Sequence, residues 1–197
     1  MKRIATVAIA LVLVSLVATP SFAQKMTWGV GADVLIPTGN FGDAYSIGFG
    51  GTGEFQYDFT PMLAGGVRAG YYTWSAKSVA AGFTAPSFSG VPVRVYGKYY
   101  FMPEAAKARV YGMLELGLFF WSSKVTLPSY SIGGFTFGGG TSSTTGSDFN
   151  LVPEVGVQFP LGSVNLDVAA QYDMVMTSGN TTSDIGFRVG VVFPIGH

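Results

Sequence analysis

DIGFRVGVVF, residues 184–193, alternates without a break: Ile185, Phe187, Val189, Val191 and Phe193 fall on one phase, and Asp184 and Arg188 fall on the other. Successive strand residues point to opposite faces, so such a segment shows one side fit for hydrocarbon and one fit for water or ion pairs. The pattern recurs at the start of the chain, where Trp28, Val30, Ala32, Val34 and Ile36 share the apolar phase and Asp33 sits on the other. Eight segments read this way: 26–36, 46–58, 63–74, 90–101, 109–122, 148–159, 164–175 and 184–193. Their charges, Asp33, Glu54, Asp58, Arg68, Arg94, Lys98, Arg109, Glu115, Asp148, Glu154, Asp167, Asp173, Asp184 and Arg188, all lie on the polar phase. The apolar phase carries none. Each segment exceeds the globular strand mode of about five or six residues and suits a tilted transmembrane strand of about 9–11.

The connections alternate in length. Segments 37–45, 75–89, 123–147 and 176–183 are moderate or long, whereas 59–62, 102–108 and 160–163 are short. Short turns at one end and longer loops at the other is the pattern of outer-membrane barrels, with the short turns in the periplasm. The third long connection contains GGFTFGGGTSSTTGS, residues 133–147, with too little bulk to fold alone, so a mobile loop is expected there. Pro92 and Pro153 fall inside strands; each removes a ladder donor and predicts a bulge or a strand end. No helical periodicity is visible after the N-terminal leader. GFGGTG, residues 48–53, is superficially like a phosphate loop but leads into no helix, so it reads as a glycine-rich strand.

That leader, residues 1–23, reads as a cleaved secretory signal peptide. Lys2 and Arg3 precede an apolar run from Ile4 to Val17, and Pro20 precedes Ser21-Phe22-Ala23, a small-x-small cleavage site. The alternative, a retained anchor, needs a span of about 20 apolar residues. Residues 24–197 form one expected domain. Cysteine is absent, which excludes a lipid-anchored lipoprotein. Charged residues make up 11% of the chain, against about 25% in ordinary soluble domains, too few to clothe a soluble surface. Without Lys2 and Arg3, nine basic residues stand against eleven acidic ones, which argues against a nucleic-acid partner.

Alternation alone does not say which face is inside. Low charge, export, loop asymmetry and aromatic residues at segment ends place the apolar face outward. Trp28, Tyr57, Phe101, Phe159 and Phe193 would form the lower girdle; Tyr45, Tyr71, Phe120, Phe149 and Tyr172 the upper one. The competing account is that aromatics simply favour strands; their clustering at ends supports girdles. The fold expected is all-β: an eight-stranded antiparallel up-and-down transmembrane β-barrel. A soluble periplasmic lipid-binding barrel is the rival architecture.

PTGNFGDAYSIGFGG (37–51), VPVRVYGKYYF (91–101) and FRVGVVFPI (187–195) resemble the eight-stranded outer-membrane β-barrel family, which includes the transmembrane domain of outer membrane protein A and outer membrane protein X. The resemblance implies a bacterial outer-membrane location, a lipid environment and a monomer. Arg188 to Ile195 resembles the C-terminal signal read by the barrel assembly machinery, which the resemblance implies as a partner.

Glu54, Arg68, Arg94, Glu115, Glu154 and Arg188 fall at similar depth on the inward phase, and so form a candidate ion cluster in the lumen. Charges held in so narrow a space must pair or cost several kcal/mol each. The cluster reads as a structural polar plug or as a gate in a narrow ion path. His197, the one histidine, is the last residue and is expected on the periplasmic side, so no catalytic base is placed at the outer rim. No catalytic, cofactor or metal site is expected. The function expected is a non-enzymatic structural or surface-interaction role through extracellular loops, toward a partner the sequence does not identify. The alternative is a narrow pore or transporter for ions or a small hydrophobic molecule. Tyr130, Phe135 and Phe137 are the candidate contact patch on the third loop.

Overall fold

The computed structural model describes residues 25–77, 86–133, 135–177 and 179–195. Residues 1–23, expected to be a signal peptide, and His197 lie outside them. Eight strands follow one another: β1 Lys25–Thr38, β2 Tyr45–Asp58, β3 Leu63–Ala76, β4 Ser87–Tyr100, β5 Arg109–Ile132, β6 Phe135–Leu161, β7 Val164–Thr177 and β8 Asn180–Ile195. Each pairs antiparallel with its chain neighbour, and β8 pairs with β1, closing a barrel. Closure leaves no free edge within the membrane, where an unpaired backbone group would cost several kcal/mol.

Apolar side chains face outward. Val95 is 59% exposed, Val67, Val155, Val189 and Leu116 are exposed likewise, and Arg68, Arg94, Lys98 and Glu115 are buried inside. Trp28, Phe101 and Phe159 are exposed near the lower rim, where both described ends of the chain lie; Tyr71, Phe120, Phe149 and Tyr172 are exposed near the upper one. Phe193 is half-buried because it stacks on Trp28 at 4.4 Å. Tyr45 departs from the expected girdle. A register shift between Tyr45 and Gly48 changes its phase, and its ring packs instead on Phe41 and Phe88 at the barrel mouth.

Four further expectations are corrected. Residues 37–45 contain a helix, α1 (Gly39–Ala44), too short to reveal a helical period. Phe41 anchors it on Trp74 and Phe88, so tertiary packing rather than propensity holds it. Pro92 and Pro153 produce neither a bulge nor a strand end. The β3–β4 ladder is interrupted opposite Pro92 and the β6–β7 ladder beside Pro153, and both resume in the same register. The tract 133–147 is no separate loop. β5 and β6 stay paired from Arg109↔Gln158 to Ile132↔Phe135, turning at Gly133 (φ 62). Its serines and threonines lack bulk, but β-branched threonine suits a pleated ribbon, and cross-strand pairing satisfies the backbone. β4 begins opposite Lys124, so residues 125–132 extend about 26 Å along the strand beyond the start of β4 at roughly 3.3 Å per residue. The fourth upper connection is also tighter than expected: Thr177 pairs with Asn180, and Gly179 (φ 99) takes the left-handed backbone of the turn.

Candidate functional site in the barrel interior

An eight-stranded barrel is just wide enough for side chains to fill. Here they do so in layers. Near the lower rim Tyr96, Tyr100, Tyr111 and Met113 form one buried cluster. The Lys98 ammonium sits among these rings, 4.5 Å from the centre of Tyr111 and 5.6 Å from that of Tyr96, and 4.0 Å from Glu54.

At mid-height the six side chains singled out by phase and depth form one connected network. Arg68 is its hub. Its Nε and Nη2 donate to Glu54 Oε2, at 3.0 and 2.5 Å, and its Nη1 donates to Glu115 and, at 2.8 Å, to Glu154. Arg94 Nη1 donates to the other oxygen of Glu115 at 3.2 Å, and Arg188 Nη1 to Glu154 at 3.1 Å. The network reaches beyond those six. Arg188 Nε bonds Asp33 at 3.0 Å, Arg94 Nη2 bonds Asp173 at 2.5 Å, and Arg94 Nε donates to Asn150. The Tyr111 hydroxyl lies 3.0 Å from Glu154 and 2.9 Å from Asp167, its single proton serving one of them at a time, and Thr52 donates to Asp33.

Asp33, Asp173, Asn150 and Lys98 lie on the same inward phase of their strands. A register-based reading would have found Asp33, which is the direct cross-strand partner of Arg188. Asp173 reaches Arg94 across the lumen from a non-neighbouring strand, and no pairing rule along the chain signals that contact.

Above the ions lies an apolar layer of Leu35, Tyr72, Trp74, Phe119 and Val175. Glycines on the adjoining strand make room for these rings. A Cβ on Gly50 would lie 2.0 Å from Tyr72 Cδ1, and one on Gly48 would lie 2.4 Å from Trp74 Nε1. This is what GFGGTG does: two of its inward positions, Gly48 and Gly50, are vacated for aromatics. Two cavities flank the filled section, about 230 Å³ at the upper mouth and about 280 Å³ near the lower rim. Between Gly31, Glu54, Asp167 and Arg188 the remaining space is about 10 Å³, roughly one water.

At the base of the upper ribbon, Trp121 Nε1 donates to Asp148 at 2.6 Å and its ring lies over Gly146. The side chains of Tyr130, Phe135 and Phe137 lie outside the described residues.

The family model for the outer membrane protein beta-barrel domain matches residues 9–193, and the chain belongs to this family of bacterial outer-membrane proteins. Among solved structures it is similar to neisserial surface protein A (NspA), with 16% identity and a TM-score of 0.60, covering 85% of this chain and 96% of that one. It is also similar to a major outer membrane protein of Thermus thermophilus, with 14% identity and a TM-score of 0.65, covering 88% and 100%. OprG of Pseudomonas aeruginosa has 13% identity and a TM-score of 0.51, covering 88% and 96%. No curated protein matches significantly in sequence. At these identities the likeness concerns the fold. The protein is an integral barrel of the bacterial outer membrane, surrounded by lipid.

Proposed function

We propose that the barrel is a non-enzymatic surface protein: a closed lipid-embedded support that presents the β5–β6 ribbon outside the cell. One observation carries this reading. Linked ion pairs fill the lumen at mid-height, while among the described residues β5 and β6 extend beyond their last pairs with β4 and β7 and pair with each other. A filled lumen stabilises rather than transports, and a protruding ribbon offers backbone groups and side chains to a partner. In this reading the leader 1–23 is removed on export, and the C-terminal strand is handed to the barrel assembly machinery.

The cysteine-free chain allows a direct test. Ser143→Cys, on the ribbon, should react on intact cells with a membrane-impermeant maleimide. Ala106→Cys, in the lower turn, should react only after the outer membrane is permeabilised. The reverse pattern would refute the orientation, and labelling of neither in folded protein would refute the exposed ribbon.

A second reading, an ion path gated by the same network, is favoured by the cavities on either side of the ions. The inward charges comprise nine acidic and five basic residues, so a path opened there should favour cations.

A further inference from the structure

The cavity at the upper mouth differs in chemistry from the plug beneath it. Its wall is aromatic: Phe88 packs against Phe41, Trp74, Phe119 and Trp121, with ring centres 5.4 to 6.3 Å apart. In that wall lies one carboxylate that the ion network does not absorb. Asp173 and Asp184 face each other across β7 and β8. Asp173 is bound by Arg94 and Asn150, whereas no basic group among the described residues forms an ion pair with Asp184. Asp184 is 4% exposed, lines the cavity, and its Oδ1 is buried without a hydrogen-bond partner among the described residues. Trp74 Nε1 approaches Asp184 from the same lining, yet it too makes no hydrogen bond of ordinary geometry.

A carboxylate beside a second carboxylate and under a ring of π faces presents negative potential to whatever enters. Aromatic faces attract cations, and Trp does so best. The cavity, about 230 Å³, far exceeds the space for one water and lies just below the range of about 300–1,000 Å³ for drug-sized ligands. We propose that this mouth cavity binds a small organic cation, an ammonium bearing alkyl groups, with Asp184 meeting the charge and Trp74, Phe88 and Trp121 meeting the alkyl face. The aromatic wall favours an organic cation over a metal ion, which would need several oxygen ligands. The inference goes beyond the surface role and does not depend on the ribbon.

Tryptophan fluorescence tests it on the purified, folded barrel in lipid nanodiscs. The chain has three tryptophans, and two of them line the cavity. A Trp28→Phe background removes the third, so the signal reports the mouth. Choline, in mildly alkaline buffer, should give a saturable change, and its uncharged isostere 3,3-dimethylbutan-1-ol should give none at the same concentrations. Asp184→Asn should weaken choline binding at least tenfold, and Phe88→Leu severalfold, with heat-modifiable gel mobility showing that each variant is folded. No saturable response to choline would overturn the proposal. So would equal binding of the uncharged isostere, which marks a merely apolar pocket. Saturation by calcium alone, indicating a metal site, would overturn it as well. An inert ribbon with an intact choline response would refute the surface reading and leave this one standing.

Discussion

Replacing Arg94 with alanine removes a fully buried cation whose contacts are individually known. Arg94 is 1% exposed; it donates to Glu115, Asp173 and Asn150, and its guanidinium lies 5.6 Å from the centre of the Tyr72 ring. Hydrogen bonds to charged groups contribute about 1.5–3 kcal/mol each, so simple addition over the three would overshoot. Glu115 would keep Arg68, but Asp173 would keep only the 2.5 Å bond from Asn150 Nδ2. One carboxylate is therefore stranded inside the barrel. Breaking a buried pair this way costs about 3–5 kcal/mol, and that is the loss expected for Arg94→Ala. Paired replacement by apolar residues of similar size, Arg94→Met with Asp173→Leu, should recover at least half, because it removes the stranded charge. Urea unfolding in lipid vesicles, followed by heat-modifiable mobility and circular dichroism, measures both. A folded Arg94→Ala barrel within about 1 kcal/mol of the parent would refute the claim that these ions hold the interior together.

Other expectations follow from the same geometry. Val95→Arg and Leu116→Arg put a charge on exposed apolar positions facing lipid, and should each cost about 2–4 kcal/mol near the bilayer midplane in the same unfolding assay. Deleting residues 131–146 should leave refolding yield and mobility unchanged, since among the described residues their ladder partners lie within the β5–β6 ribbon and not on β4 or β7. Gly117→Ala should destabilise by about 1–3 kcal/mol, because its Cβ would lie 2.1 Å from the Val93 carbonyl oxygen and 2.7 Å from Arg94 Cα. Trp121→Phe should loosen the ribbon base by removing the bond to Asp148, read as faster amide exchange near Gly146 with barrel stability almost unchanged.

Strand number, order and facing were legible because the lipid-facing phase tolerates no charge, which turns an ordinary period-2 pattern into a binary test at every position. The lower turns were legible for the same reason, since the pattern breaks where the chain leaves the bilayer. Above the upper rim that constraint lapses. Thr141 to Thr145 pair across a ribbon although nothing in their hydropathy alternates, and α1 is fixed by Phe41 packing on rings from β3 and β4. Tyr45 shows the limit within a strand: one register shift moves it from the lipid face to the mouth. Within the interior, phase and depth picked out Arg68 and the charges around it. They could not show that Asp173 reaches Arg94 across the lumen, or that Asp184 stays outside the network, because tilt and closure decide which inward residues meet.

If the ion network closes the barrel, planar-bilayer recording on the purified parent protein should find no open path. Steady current at the level of the untreated membrane is expected, with Arg94→Ala lowering stability yet opening at most brief, cation-favouring events. A stable ohmic conductance through the parent barrel would contradict a closed lumen and establish the ion path instead.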